Sequence, residues 1–153
     1  NSNGSIIPRL HAMGKDTNYN EFNLTHAKMT RFVMTLEQSV NLIEYAIING
    51  SSGDTIISEL ISLKVKDLIE IFSEKYNKPI KITGLRPGEK LLESLINESQ
   101  SGRIHNYGKY THIKSVFNFN DHIDVDKLRD YNSTINPLTK KELREFLIKL
   151  NLL

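Results

Sequence analysis

The chain has 153 residues, 39% of them hydrophobic and 25% charged, with a formal net charge of +2 at neutral pH, which is one soluble domain's worth of sequence. Its lysines and arginines are dispersed among acids, which argues against nucleic acid or an anionic membrane as partner, and no apolar run approaches the ~20 residues that span a bilayer. There is no cysteine, which excludes disulfides, thiolate nucleophiles and cysteine-ligated metals and fits a reducing, cytoplasmic setting.

In chain order, GSIIPRLHAMGK (4–15) reads as a Gly-Ser turn into a short helix around residues 7–13. A polar loop leads to EFNLT and then KMTRFVMT (28–35), whose β-branched and aromatic positions predict strands. Thr35 with Gln38 makes a capping-box pattern. It opens a helix that carries Leu36, Val40, Ile43 and Ile47 on one core-facing stripe, and Gly50 stands where a C′ glycine ends it. GDTIIS (53–58) reads as a strand. The spacing of Val65, Leu68, Ile69, Phe72 and Tyr76 predicts a second amphipathic helix over 62–77, stopped by Pro79.

PIKIT (79–83) alternates as a strand does, and TGLRPGEKLLES (83–94) follows it. Leu91, Leu92, Leu95 and Ile96 have helical spacing, so this reads as a strand-to-helix turn with Pro87 in the first helical turn. Residues 101–131 are irregular, with short strands near 103–107 and 111–117. A last capping box, Thr139 with Glu142, opens a helix with Leu143, Phe146, Leu147 and Leu150. Strands and helices alternating in this way predict an α/β fold.

Two arginines stand out. Arg31 lies on a strand otherwise apolar or uncharged, and burying it without a partner would be costly. Arg86 would stand beside a helix N-terminus, whose free N–H groups favour an anion, while Gly88 would let a ligand approach the backbone. The plain alternative is a solvated arginine in a turn. The histidines show no tight ligand spacing, so no metal site is expected, and Asp121, Asp124 and Asp126 read as a solvated turn.

Three motifs in order carry a resemblance: Gly4-Ser5-Ile6-Ile7-Pro8, Met29-Thr30-Arg31-Phe32-Val33-Met34-Thr35-Leu36, and Arg86-Pro87-Gly88-Glu89-Lys90-Leu91-Leu92-Glu93. Together with DYNSTINPLTKKELREFL near the C-terminus they resemble the polysaccharide-biosynthesis branch of the extended short-chain dehydrogenase/reductases. These are nucleotide-sugar 4,6-dehydratases and 4-epimerases that serve capsule, lipopolysaccharide and flagellin glycan synthesis. The resemblance runs from about residue 2 to 150 and is weakest over 99–125.

The resemblance implies a C-terminal nucleotide-sugar-binding portion without the N-terminal Rossmann half. Arg31 and Arg86 would grip the pyrophosphate of a UDP-sugar, Glu89 would face the ribose hydroxyls, and Ser5, Ile6 and Pro8 would line the uracil and diphosphate end. NAD or NADP would be bound by the other half, none by this chain. In the complete enzyme, chemistry would begin with hydride abstraction from sugar C4, followed by elimination across C5–C6 or return of the hydride to the other face. No GxxGxxG occurs among the glycines, and the one Tyr-x-x-x-Lys, Tyr110 to Lys114, follows Arg86 in a stretch of poor helical character. No catalytic residue is therefore expected here, and the chain alone should not turn over. A partner chain, the other half or a second copy should cover apolar faces around Ile56, Ile57 or the Leu36–Ile47 helix. The alternative is a non-catalytic binding or assembly module of the same descent.

Overall fold

The computed structural model describes residues 5–153. In chain order the elements are α1 (Ile6–Lys15), β1 (Phe22–Leu24), β2 (Thr30–Val33), α2 (Leu36–Asn49), β3 (Thr55–Ser58), β4 (Ile61–Lys64), α3 (Val65–Tyr76) and β5 (Ile80–Ile82). There follow β6 (Ser94–Ile96), α4 (Glu98–Ser101), β7 (Ile104–Tyr107), β8 (Tyr110–Ile113), a single 3-10 turn (Val125–Lys127), β9 (Tyr131–Asn132), β10 (Pro137–Leu138) and α5 (Lys140–Lys149). The class is α/β, as the alternation predicts. The chain forms two compact units, one of residues up to Val33 with Ile61–Glu93 and Ser133–Leu153, the other of Met34–Leu60 with Ser94–Asn132.

The first unit is built around α3. Its Leu68, Ile69, Ile71 and Phe72 are buried among Leu10 of α1, Phe22 and Leu24 of β1, and Leu143 and Leu147 of α5. Burying such side chains is worth roughly 1.5–3 kcal/mol each, so this cluster is the main source of the unit's stability. β1 and β5 pair in parallel. β4 lies between β10, which runs parallel to it, and β2, which runs antiparallel and sets Arg31 opposite Leu63. The α5 capping box forms as its sequence predicts, with Thr139 Oγ1 accepting from the Glu142 N–H and the Glu142 carboxylate accepting from the Thr139 N–H at 2.8 Å.

The second unit holds an antiparallel sheet in the order β3-β8-β7 and the antiparallel pair β6-β9. β7 and β8 form a hairpin whose first central residue is Gly108 at φ +65°, the position that a type II′ turn reserves for glycine. α2 begins with the expected capping box, in which Thr35 and Gln38 each bond the other's backbone.

Several expectations are corrected. Residues 61–64 are strand, not the start of the helix, because Ile61 and Leu63 are paired across to β2; α3 begins at Val65. No helix opens at the Arg86 turn. Gly88 takes φ +86°, which breaks helical geometry, and Leu95 and Ile96 lie in β6 beside β9 instead. The Leu36–Val40–Ile43–Ile47 stripe of α2 is exposed rather than core, with Leu36 at 77% and Ile47 at 79%, whereas Ile56 and Ile57 are half-buried. Gly50 ends α2 at φ −77°, so no left-handed residue is used there.

Candidate functional site

Arg31 sits on β2 with a half-buried side chain, and its guanidinium is shared among main-chain carbonyls. Nη1 donates to the carbonyl of Thr30 at 2.7 Å and, more weakly, to that of Leu91 at 3.5 Å; Nη2 donates to the carbonyl of Lys90 at 2.8 Å. Nε faces the Glu93 carboxylate at 3.5 Å. The partner that the strand arginine requires is thus the segment 90–93, and a second Nη2 N–H has no partner among the described residues. The Thr30 N–H also donates to the Leu91 carbonyl at 2.9 Å, so segment and strand are tied by backbone as well.

Upstream, Arg86-Pro87-Gly88-Glu89 form a closed turn. The Glu89 N–H donates to the Arg86 carbonyl at 3.0 Å, and the Glu89 carboxylate accepts from the Arg86 N–H at 3.0 Å. Proline at the second position and glycine at φ +86° at the third make this a type II turn. The space where a Cβ of residue 88 would point is empty, so that side of the backbone is open to approach. The Arg86 guanidinium is exposed and makes no ion pair or hydrogen bond among the described residues. Its setting is therefore a hydrogen-bonded type II turn and not the helix N-terminus that the sequence suggests.

Ser5 precedes α1 in extended conformation (φ −68°, ψ 159°), and its hydroxyl does not cap the helix. Ile6 is exposed, and Pro8 lies in the first turn, where its missing N–H leaves no helical bond unmade. Gly4 lies outside the described residues. No hydrogen bond or ion pair joins Ser5, Ile6 or Pro8 to Arg31, Arg86 or Glu89 among the described residues. The structure ties together Arg31 with 90–93 and Arg86 with Glu89.

Three further residues beside Arg31 carry no functional signal in the sequence. The hydroxyls of Thr30 and Ser133 are 2.7 Å apart, both buried, and Ser133 Oγ also accepts from the Glu93 N–H at 3.0 Å. Thr30 and Glu93 belong to the second and third motifs and Ser133 lies inside DYNSTIN, so all three stand in recognisable segments without an evident role.

In the second unit Tyr110 and Lys114 do not form a helical pair; Tyr110 lies on β8 and Lys114 just beyond its end. The Lys114 ammonium donates to Asp54 at 2.7 Å, and Tyr110 stacks on Tyr45 with ring centroids 3.8 Å apart. The bond to Asp54 holds the lysine above its ordinary pKa, and the same bond holds Asp54 below its own. His112 is pushed down chiefly by burial, with Lys114 adding to it and Asp54 opposing. A lysine so engaged cannot serve a tyrosine base, so this pair does not fit nicotinamide chemistry. No group of histidines and carboxylates among the described residues could hold a metal ion.

The sequence model of the family described as "Polysaccharide biosynthesis protein" matches residues 1–115. The chain belongs to that family. It is 33% identical to a UDP-glucose 4-epimerase of Rickettsia canadensis, aligned over 98% of this chain and 47% of the relative. It is 42% identical to an uncharacterized membrane protein of Methanocaldococcus jannaschii over 65% of this chain and 32% of that protein. The fold matches the X-ray structure of Pen from Bacillus thuringiensis with a TM-score of 0.85 and 29% identity, over 99% of this chain and 48% of that one. This polysaccharide-biosynthesis chain therefore spans about half the length of the epimerase relative, or less in the archaeal case. No helix among the described residues is long and apolar enough to cross a membrane.

Proposed function

We propose that the first unit binds the diphosphate of a UDP-sugar as the substrate-binding part of a nucleotide-sugar 4-epimerase or 4,6-dehydratase. The observation that carries this reading is Arg86: a cation without an internal partner, held on a closed turn four residues from the segment that Arg31 clamps. A guanidinium suits an oxyanion pair better than a lysine ammonium, because its planar fork donates along parallel bonds. Arg31 would contribute its charge and its remaining N–H. Glu89 would turn its open oxygen toward the ribose hydroxyls, while Ser5, Ile6 and Pro8 would border the uracil end.

The 4-epimerase reading is favoured over the dehydratase because curated relatives aligned over 98% of the chain carry that name. A nicotinamide dinucleotide would supply the hydride chemistry in the complete enzyme. The residues of this chain would bind and orient the sugar nucleotide. The exposed stripe of α2 keeps a second reading in play, a non-catalytic assembly module. Neither reading expects turnover by this chain alone. The purified chain with UDP-N-acetylglucosamine and NAD or NADP should give no 4-keto product, and turnover on the order of 1 per second would mean that the catalytic groups lie in this chain. Binding itself is mapped by titrating UDP into isotope-labelled protein. Resonance shifts should concentrate at Arg31, 86–93 and the start of α1; shifts confined to the second unit would sink the proposal.

A further inference from the structure

We propose that Ser133 is a positioning residue for this diphosphate site, an inference that rests on the binding role proposed for Arg31 and Arg86. First, Ser133 is fully buried, with 0% exposure, yet its hydroxyl joins two separate segments: Thr30 Oγ1 at 2.7 Å and the Glu93 N–H at 3.0 Å. Secondly, its own N–H donates to the Glu93 carbonyl at 2.8 Å, so Glu93 is held from both sides of its backbone. Thirdly, the two residues it joins flank the Arg31 contact: Thr30 precedes Arg31 on β2, and Glu93 presents its carboxylate to Arg31 Nε at 3.5 Å.

A buried hydroxyl that donates once and accepts once is satisfied only if both partners stay in place. When the Ser133 O–H donates to Thr30 Oγ1, the Ser133 Oγ lone pairs are left to accept from the Glu93 N–H. The triad then fixes the distance between β2 and the end of the 86–93 segment. That distance decides where the Arg31 guanidinium lies against the Lys90 and Leu91 carbonyls, and so where its unused N–H points. Nearby, Ser62 Oγ donates to the Ile135 carbonyl at 3.2 Å, which pins the stretch after Ser133 to β4. DYNSTIN thereby carries the buried pin of a site whose charged residues lie elsewhere in the chain. Ser133 touches no ligand in this scheme and acts through Arg31 and Glu93.

The test measures UDP and uridine affinity, together with hydrogen exchange at Arg31 Nε–H, in the wild type and four variants, of which Arg86→Gln is the control for the diphosphate site itself. Ser133→Ala removes the pin. Thr30→Val removes the partner hydroxyl at nearly constant volume, and Thr30→Ser keeps a hydroxyl and should rescue. For Ser133→Ala and Thr30→Val the expected result is a loss of UDP affinity of about tenfold with uridine affinity little changed, and faster exchange at Arg31 Nε–H. Thr30→Ser should stay near wild type. UDP affinity unchanged in both disruptive variants, while Arg86→Gln still lowers it, would overturn the pin and leave the diphosphate site standing. Equal loss of UDP and uridine affinity would make Ser133 merely structural and also overturn it. A wild type that binds no UDP would overturn the site and this role with it.

Discussion

The Arg31 guanidinium donates to the main-chain carbonyl of Lys90 at 2.8 Å and to that of its neighbour Thr30 at 2.7 Å, so one side chain bridges β2 and the segment that follows the Arg86 turn. The geometry requires a fork, because a lysine ammonium in the same place could not serve both carbonyls and Glu93. Arg31→Lys should therefore lower stability by about 1–2 kcal/mol despite keeping the charge, a value discounted for the partial exposure of the side chain. Urea denaturation measures it; a loss below about 0.3 kcal/mol would mean that the bridge is not formed in solution.

Arg86 should behave in the opposite way. Its side chain has no internal partner among the described residues, so Arg86→Gln should leave stability within about 0.5 kcal/mol of wild type by the same urea measurement. A larger loss would mean that the guanidinium is engaged within the fold and not free for an anion.

The buried cluster of the second unit sets an acid response. The His112 pKa is lowered mainly by burial, so the unfolded chain takes up a proton more readily than the folded one. Stability should start to fall as pH drops through about 6.5, the ordinary histidine value. A second fall should begin below about 4, where the unfolded Asp54 protonates while the Lys114 bond holds the folded carboxylate ionised. On the alkaline side the raised Lys114 adds stability that is complete below about 10.4 and lost as pH rises through its folded value. Denaturation curves across pH should show the first fall vanish in His112→Gln and persist in the wild type. A wild type of constant stability between pH 7 and 5 would contradict the burial of a neutral His112.

The sequence is most legible where the interaction is local. The capping boxes at Thr35 and Thr139 form as their spacing predicts, because both partners lie within one turn. The Leu91–Ile96 stretch is not legible in this way, because apolar residues at those positions fit a helix face as well as a strand. What decides between them is distant: the Ser133 hydroxyl bonds the Glu93 N–H from 40 residues away. Arg31 on its strand does announce the need for a partner, yet most of its acceptors are main-chain carbonyls, which no residue pattern encodes. Periodicity likewise reveals that α2 has an apolar face but not whether anything covers it.

That face carries its own prediction. Leu36, Val40, Ile43 and Ile47 together present an exposed stripe of the kind that marks an interaction surface. Sedimentation of the purified chain should show concentration-dependent association, relieved by the pair Ile43→Lys and Ile47→Glu without loss of stability beyond about 0.5 kcal/mol. A wild type that sediments as a monomer at every concentration would contradict it.

Whether this chain holds a diphosphate through Arg86 is decided by calorimetric titration of UDP, with uridine as the control lacking phosphate, into the wild type and Arg86→Gln. Expected are saturable UDP binding to the wild type, weaker uridine binding, and a loss of UDP affinity of roughly ten- to a hundredfold in Arg86→Gln, the value of one charge-assisted phosphate contact. Equal affinity of wild type and Arg86→Gln for UDP, or no UDP binding at all, would contradict it.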